Sequence, residues 1–175
     1  MNGRAEMLTD LDLHSVEYIC LNMRERDRIE ILGLRPHESP IRLAWEAYHH
    51  IINSGRGKVA WANGKPATMA AFVESHPGVW DVWMCGTTDF KAAAVPLLKW
   101  FRTEANEILT VCKGHRLQCD SRADYDEAHK MIKAFGGVAE STLRRYGKDG
   151  SDYIRFVWLN GENDAVLRPH YTRAA

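Results

Sequence analysis

The stretch VWDVWMCGTTDFKAAAVPLLKWFRTEANEI, residues 79–108, decides how the rest of the chain is read. Residues 79–85 form an apolar run of strand length, residues 86–89 a short polar turn, and a long amphipathic helix follows. In α/β proteins such a strand-turn-helix junction commonly receives an anionic ligand. The first N–H groups of the helix are unpaired there, and the helix dipole favours negative charge. Function therefore turns on whether this loop has the chemistry to hold a phosphate, and on the fold around it.

Upstream, residues 58–62 and 68–74 read as strands joined at Asn63-Gly64, the strongest short hairpin signal. Pro66 is tolerable only near the start of the second, and His76-Pro77-Gly78 turns the chain into the strand at 79. Ser39-Pro40 opens a helix whose Leu43, Ala44, Ala47, Tyr48, Ile51 and Ile52 recur at helical spacing until Asn53-Ser54-Gly55. Residues 16–21 read as a first strand, mostly apolar with partial alternation. Asn22 then caps a charged helix, MRERDRIEIL, with Met23, Ile29 and Leu32 as its buried stripe and Gly33 as its stop.

Downstream, the long helix runs to about residue 109, and Pro96 marks a kink or the start of its regular part. Residues 116–119 give a short strand and 120–124 a polar loop. A helix over 125–135 ends at Gly136-Gly137, and residues 138–145 and 152–159 make a final hairpin. The order is β-α-α-β-β-β-α-β-α-β-β, a mixed α/β sheet with helices on both faces and one parallel crossover. Residues 15–160 form one domain, between a loose lead-in at 1–14 and a polar tail at 161–175.

Composition excludes several classes. The 175 residues carry 23 Lys+Arg and 23 Asp+Glu, a net charge of zero, so electrostatics recommend neither nucleic acid nor a membrane surface as partner. Arg144, Arg145 and Lys148 on the last hairpin read as a solvated edge for the same reason. No apolar run approaches a membrane span, and the first residues, MNGRAEMLTD, lack the apolar core of a secretory signal. Cys20, Cys85, Cys112 and Cys119 form no C-x-x-C pair and read as reduced core residues of a cytosolic chain. Cys112, His115 and Cys119 have zinc-compatible spacing but no fourth ligand, and the adjacent His49 and His50 diverge by about 100° on a helix, so no metal site is expected. Trp80, Trp83, Trp100 and Trp158 fall in core elements. Trp45 and Trp61 are candidates for partial exposure, which suits a protein–protein interface.

The strand order, together with AHKMIKAFGG at residues 128–137, resembles the GNAT acetyltransferase fold. That likeness implies a sheet splayed between its fourth strand, residues 79–85, and its fifth, residues 116–119. It also implies that acetyl-coenzyme A enters the cleft with its pyrophosphate on the helix beginning near Asp89. The set NMRERDRIEI, WANGKPATMAAF, VWMCGTTDF and the helix end at 128–137 further resembles the small GNAT-like internal virion proteins of short-tailed bacteriophages. Membership would imply a virion or assembly protein made in the bacterial host cytoplasm, carried into the virion and partnered by other virion proteins.

Residue by residue, the chemistry departs from an active acetyltransferase. The family's loop has an Arg/Gln-x-x-Gly-x-Gly/Ala pattern that lets backbone N–H groups approach the phosphates. Here the corresponding cofactor-binding candidates are Cys85, Gly86, Thr87, Thr88, Asp89 and Lys91, with one glycine among them. Asp89 reads as an ordinary N-cap competing with a phosphate for the same amides. A like-charge contact at ~4 Å costs on the order of 4 kcal/mol at an effective dielectric of about 20, and Lys91 offsets part of it. Where the family places a tyrosine to protonate the leaving thiolate, Ile132 stands and has no proton to give. Tyr125, one helical turn before Ala128, is the substitute candidate, and Glu74 and Asp81 are candidate general bases. The expected function is a virion or assembly protein on a GNAT-like scaffold, without acetyl transfer and without a cofactor. The alternative is an active acetyl-coenzyme A-dependent N-acetyltransferase with an atypical loop.

Overall fold

The computed structural model describes residues 7–161. In chain order the elements are β1 (Leu8–Asp10), α1 (Leu13–Leu21), α2 (Glu25–Leu32), α3 (Pro40–Ser54), β2 (Gly55–Ala62), β3 (Lys65–His76) and β4 (Val79–Gly86). Then come α4 (Phe90–Thr110), β5 (Arg116–Arg122), α5 (Asp126–Ala134), β6 (Val138–Leu143) and β7 (Tyr153–Leu159). The strands form one seven-stranded sheet in the order β1-β2-β3-β4-β5-β7-β6. Only β4 and β5 are parallel neighbours. This is the expected mixed sheet, with two changes at its start.

Residues 16–21 are helical, not a strand. The Asp12 side chain accepts from the Ser15 amide at 2.9 Å and starts α1, whose Val16, Ile19 and Cys20 are buried at helical spacing. The first strand lies earlier, in the expected lead-in, where Leu8, Thr9 and Asp10 pair with Ala60, Val59 and Lys58. Asn22 is correspondingly the C-cap of α1, its amide bonded to the Tyr18 carbonyl, and Arg24 stands at the N-cap of α2. Ile29 is exposed, so the buried side of α2 runs through Asp27, Ile31 and the expected Leu32, with Met23 buried just ahead of the helix. The expected polar tail lies outside the described residues beyond Gly161.

α1 and α3 cover one face of the sheet, where Val16, Ile19, Leu43 and Ala47 meet Val59, Met69, Ala71 and Cys85. α4 covers the other, where Phe101, Ala105 and Ile108 meet Phe72, Trp80 and Val82. Under the first turns of α4 the sheet offers only Ala60, Ala62, Ala67 and Ala70, so Ala93 and Leu97 settle on small side chains. The helix is continuous from Phe90, and Pro96 lies inside it. Among the described residues, no helix is long and apolar enough to cross a membrane.

Candidate functional site

β4 and β5 pair over three rungs, Val79 with Arg116, Trp80 with Leu117, and Asp81 with Gln118. Beyond Asp81 they part, β5 following β7 and β4 following β3. The expected splay is therefore present, and its open end faces the loop between β4 and α4.

Five amides between Gly86 and Ala92 have acceptors within the protein. The Gly86 N–H donates to Asp27 Oδ2 at 3.0 Å, and the Thr87 N–H to the Ala67 carbonyl at 2.8 Å. The Asp89 N–H donates to Thr87 Oγ1 at 3.2 Å, the Phe90 N–H to the Thr87 carbonyl at 3.1 Å, and the Ala92 N–H to the Asp89 carbonyl at 3.0 Å. A Cβ at Gly86 would lie 2.7 Å from Phe90 Cδ2, so close packing of that ring demands this glycine. Asp89 makes no side-chain cap; its Oδ1 takes a long bond of 3.5 Å from Asn63 Nδ2. Thr88 and Lys91 are exposed, and Cys85 is buried with its thiol pushed up by hydrogen bonding with Cys20 and by burial.

The carboxylate that holds the loop comes from α2. Asp27, 4% exposed, accepts from Gly86, from Tyr125 Oη at 2.8 Å, and twice on Oδ2 from Arg24, through Nε at 3.0 Å and Nη2 at 2.8 Å. The Arg24 guanidinium lies 4.4 Å from the centre of the Phe90 ring, at the start of α4. One turn along α2, Glu30 Oε1 accepts from Ser121 Oγ at 2.5 Å and from the Arg122 amide at 2.7 Å. Asp27 thus grips the end of β4 and Glu30 the end of β5. Together they bridge the gap where the strands no longer bond each other.

Behind this bridge lies a cavity of about 120 Å³, floored by Phe101, Met131, Ile132, Phe135 and Trp158. Pockets that bury a drug-sized ligand run to roughly 300–1,000 Å³, larger than this space. Ile132 does line it, where the resemblance places a tyrosine. Tyr125 is not among its lining residues. Its phenol is pushed up by burial and by the Asp27 charge, which favours the protonated donor already bonded to Asp27.

The two candidate bases are not brought together. Glu74 accepts the Gly78 amide at 3.0 Å, near the turn that starts β4. Asp81 accepts from Gln118 Nε2 at 2.9 Å at the last rung. It lines a separate groove of about 690 Å³ with Glu46, His49 and His50, which shares Arg35 and Trp83 with the cavity. Cys112 Sγ accepts from Arg56 Nη2 at 3.2 Å, and Cys119 lines the cavity. A Cβ at Gly78 would meet the His115 ring at 2.4 Å.

Glu30 is the carboxyl group that this geometry pushes up. Loss of hydration outweighs its two donors and raises its carboxyl from 4.5 to about 7. The folded chain thus holds a proton on Glu30 at pH values where the unfolded chain has released it. The stability this contributes is complete below pH 4.5 and lost as pH rises through 7. The loss is on the order of 3 kcal/mol. Glu30→Gln should remove that slope. In denaturant titrations, the variant should gain on the wild type as pH rises from 5 to about 8. Parallel pH profiles for the two proteins would refute this.

Sequence reasoning missed Asp27 and Glu30. The signal was present for Asp27: it falls four residues after Met23 and four before Ile31, an acid on an otherwise apolar row.

No protein-family model and no curated protein sequence matches the chain. Solved structures do. A variant of the spermidine N-acetyltransferase SpeG from Vibrio cholerae superposes with a TM-score of 0.65 at 16% identity, covering 93% of this chain and 96% of that one. The ribosomal-protein-S5-alanine acetyltransferase from Vibrio fischeri gives 0.63 at 13%, covering 97% and 98%. Ard1 from Thermoplasma volcanium gives 0.66 at 15%, covering 89% and 98%. At such identities the likeness establishes the fold alone, and that fold is GNAT, as the strand order implied.

Proposed function

We propose that this chain is a bacteriophage virion or assembly protein that keeps the GNAT fold as a packing scaffold and carries out no acetyl transfer. One observation carries the loss of catalysis: the loop amide that would approach a pyrophosphate, that of Gly86, is held by the buried Asp27 carboxylate. A phosphate there would have to displace an acceptor that also serves Arg24 and Tyr125. The residues present do not fit acetyl-coenzyme A. The virion role draws its support from NMRERDRIEI, WANGKPATMAAF and VWMCGTTDF, with other virion proteins as partners. The chain would be made in the host cytoplasm and carried into the particle.

Isothermal calorimetry with acetyl-coenzyme A tests the first half: no saturable heat is expected up to millimolar cofactor. Micromolar affinity, lost when Thr88 to Lys91 is altered, would establish instead an active N-acetyltransferase modifying a host or phage amine. What favours that second reading is the groove beside Asp81, which meets the cavity at Arg35 and Trp83. Purified phage particles test the second half; the chain should remain after nuclease treatment and high-salt washing.

A further inference from the structure

α3 carries two apolar rows. Leu43, Ala44, Ala47 and Ile51 are buried in the layer that faces the sheet. Ile41, Trp45 and Ile52 form the second row, and they are 44%, 52% and 51% exposed. At about 100° per residue these three fall within an arc of about 40°, clear of the buried row. A surface helix normally turns polar residues outward, so a second apolar row marks a contact surface. Of the six tryptophans, Trp45 alone is exposed. Its indole lies against the His49 ring of the same helix, the centroids 4.4 Å apart, so it is held in place before any partner arrives.

The row fits a second copy of this chain. Trp45 and Ile52 stand two helical turns apart on it. A twofold axis between them sets α3 antiparallel to the α3 of the other copy, and each Trp45 then meets the other copy's Ile52. One patch covers itself, and the assembly closes at two chains. Charge favours the approach. The chain has no net charge to repel its copy. Beside the row, Glu46 is neutralised by Arg42 at 2.8 Å on its own helix. The antiparallel arrangement also brings the Arg42 end of one helix to the carboxyl end of the other, where the helix dipole is negative and Asn53 and Ser54 carry no charge. Three half-exposed side chains offer on the order of 300 Å² per copy. A standard interface buries roughly 800 Å² per partner, so the pairing is concentration-dependent rather than obligate.

We propose that two copies of this chain pair through the outer row of α3, antiparallel about a twofold axis between Trp45 and Ile52. The surface does not include the loop between β4 and α4, so the proposal holds whichever reading of that loop is correct.

Sedimentation equilibrium of the full chain should show the mass rising from one chain toward two between micromolar and near-millimolar concentration. Trp45→Glu should weaken the pairing by about tenfold or more, and Ile52→Lys should weaken it as well. Val95→Glu alters a side chain 58% exposed on α4 and should leave the pairing unchanged. An equimolar mixture of Trp45→Glu and Ile52→Lys should pair again. The mixed dimer sets the introduced carboxylate against the introduced ammonium and keeps one native contact between Trp45 and Ile52. A chain that stays monomeric at the highest concentration would overturn the proposal and leave the row to a different protein. Pairing that Trp45→Glu does not weaken, or a mixture that fails to pair, would overturn it equally. The wild-type series needs no variant, so a misfolded variant would not blunt the test, and circular dichroism identifies any that misfold.

Discussion

Asp27→Ala should lower the unfolding free energy by about 3–5 kcal/mol, the range for removing one partner of a buried ion pair. The substitution strands three donors together. The Arg24 guanidinium loses the carboxylate it grips through Nε and Nη2, and the Gly86 amide and Tyr125 hydroxyl lose their acceptor. Each buried group left unpaired costs about 1–3 kcal/mol. Asp27→Asn keeps the side-chain carbonyl as an acceptor and should cost roughly half as much. Guanidinium unfolding with an unchanged m-value would read the difference as stability rather than altered compactness. A loss below about 1 kcal/mol for the alanine variant would mean that α2 does not bear on the β4 end as its geometry indicates.

Trp158→Ala should cost a similar amount, about 3–5 kcal/mol. The indole is 1% exposed, donates to the Phe135 carbonyl at 2.9 Å, and lies with its ring centre 5.7 Å from that of Phe101. Truncation removes a large buried side chain, orphans that carbonyl, and enlarges the cavity that Trp158 already lines. Trp158→Phe leaves the carbonyl unpaired but fills most of the space, so its smaller loss separates the hydrogen bond from the packing. Thermal and denaturant unfolding of both variants give the two terms.

Local chemistry made much of this architecture legible. Asn63 and Gly64 sit at φ 53 and 74, the two positive values that a tight hairpin needs. Ser39 accepts from the Arg42 amide at 3.2 Å, with Pro40 at the first helical position behind it. Both are decided within four residues of sequence. The reading of residues 16–21 failed because a short apolar run serves a buried strand and a half-buried helix equally well. Asp12, four residues earlier, was the deciding signal. At the site, the sequence pointed to Asp89 as the carboxylate competing for the loop amides. The competing carboxylate is Asp27, 59 residues from Gly86, rather than Asp89. An acid on the apolar row of α2 can be seen in sequence, whereas the amide it meets depends on how the sheet closes.

The three rungs between β4 and β5 also bear on how the chain reaches its native state. β2 to β4 form an antiparallel run closed by hairpins of short span, β1 joining it from beyond α1 to α3, and β6 and β7 likewise pair near one another in sequence. Among the described strands, Val79, Trp80 and Asp81 alone make the ladder between these halves, across all of α4. The bonds from Glu30 to Ser121 and Arg122 span 91 and 92 residues, and the bond between Asp27 and Tyr125 spans 98. Contacts so distant reward the chain only after the loop between them has closed. Each half therefore assembles from local pairings, and the clasp of α2 onto both strand ends belongs to the late docking that turns two small sheets into one.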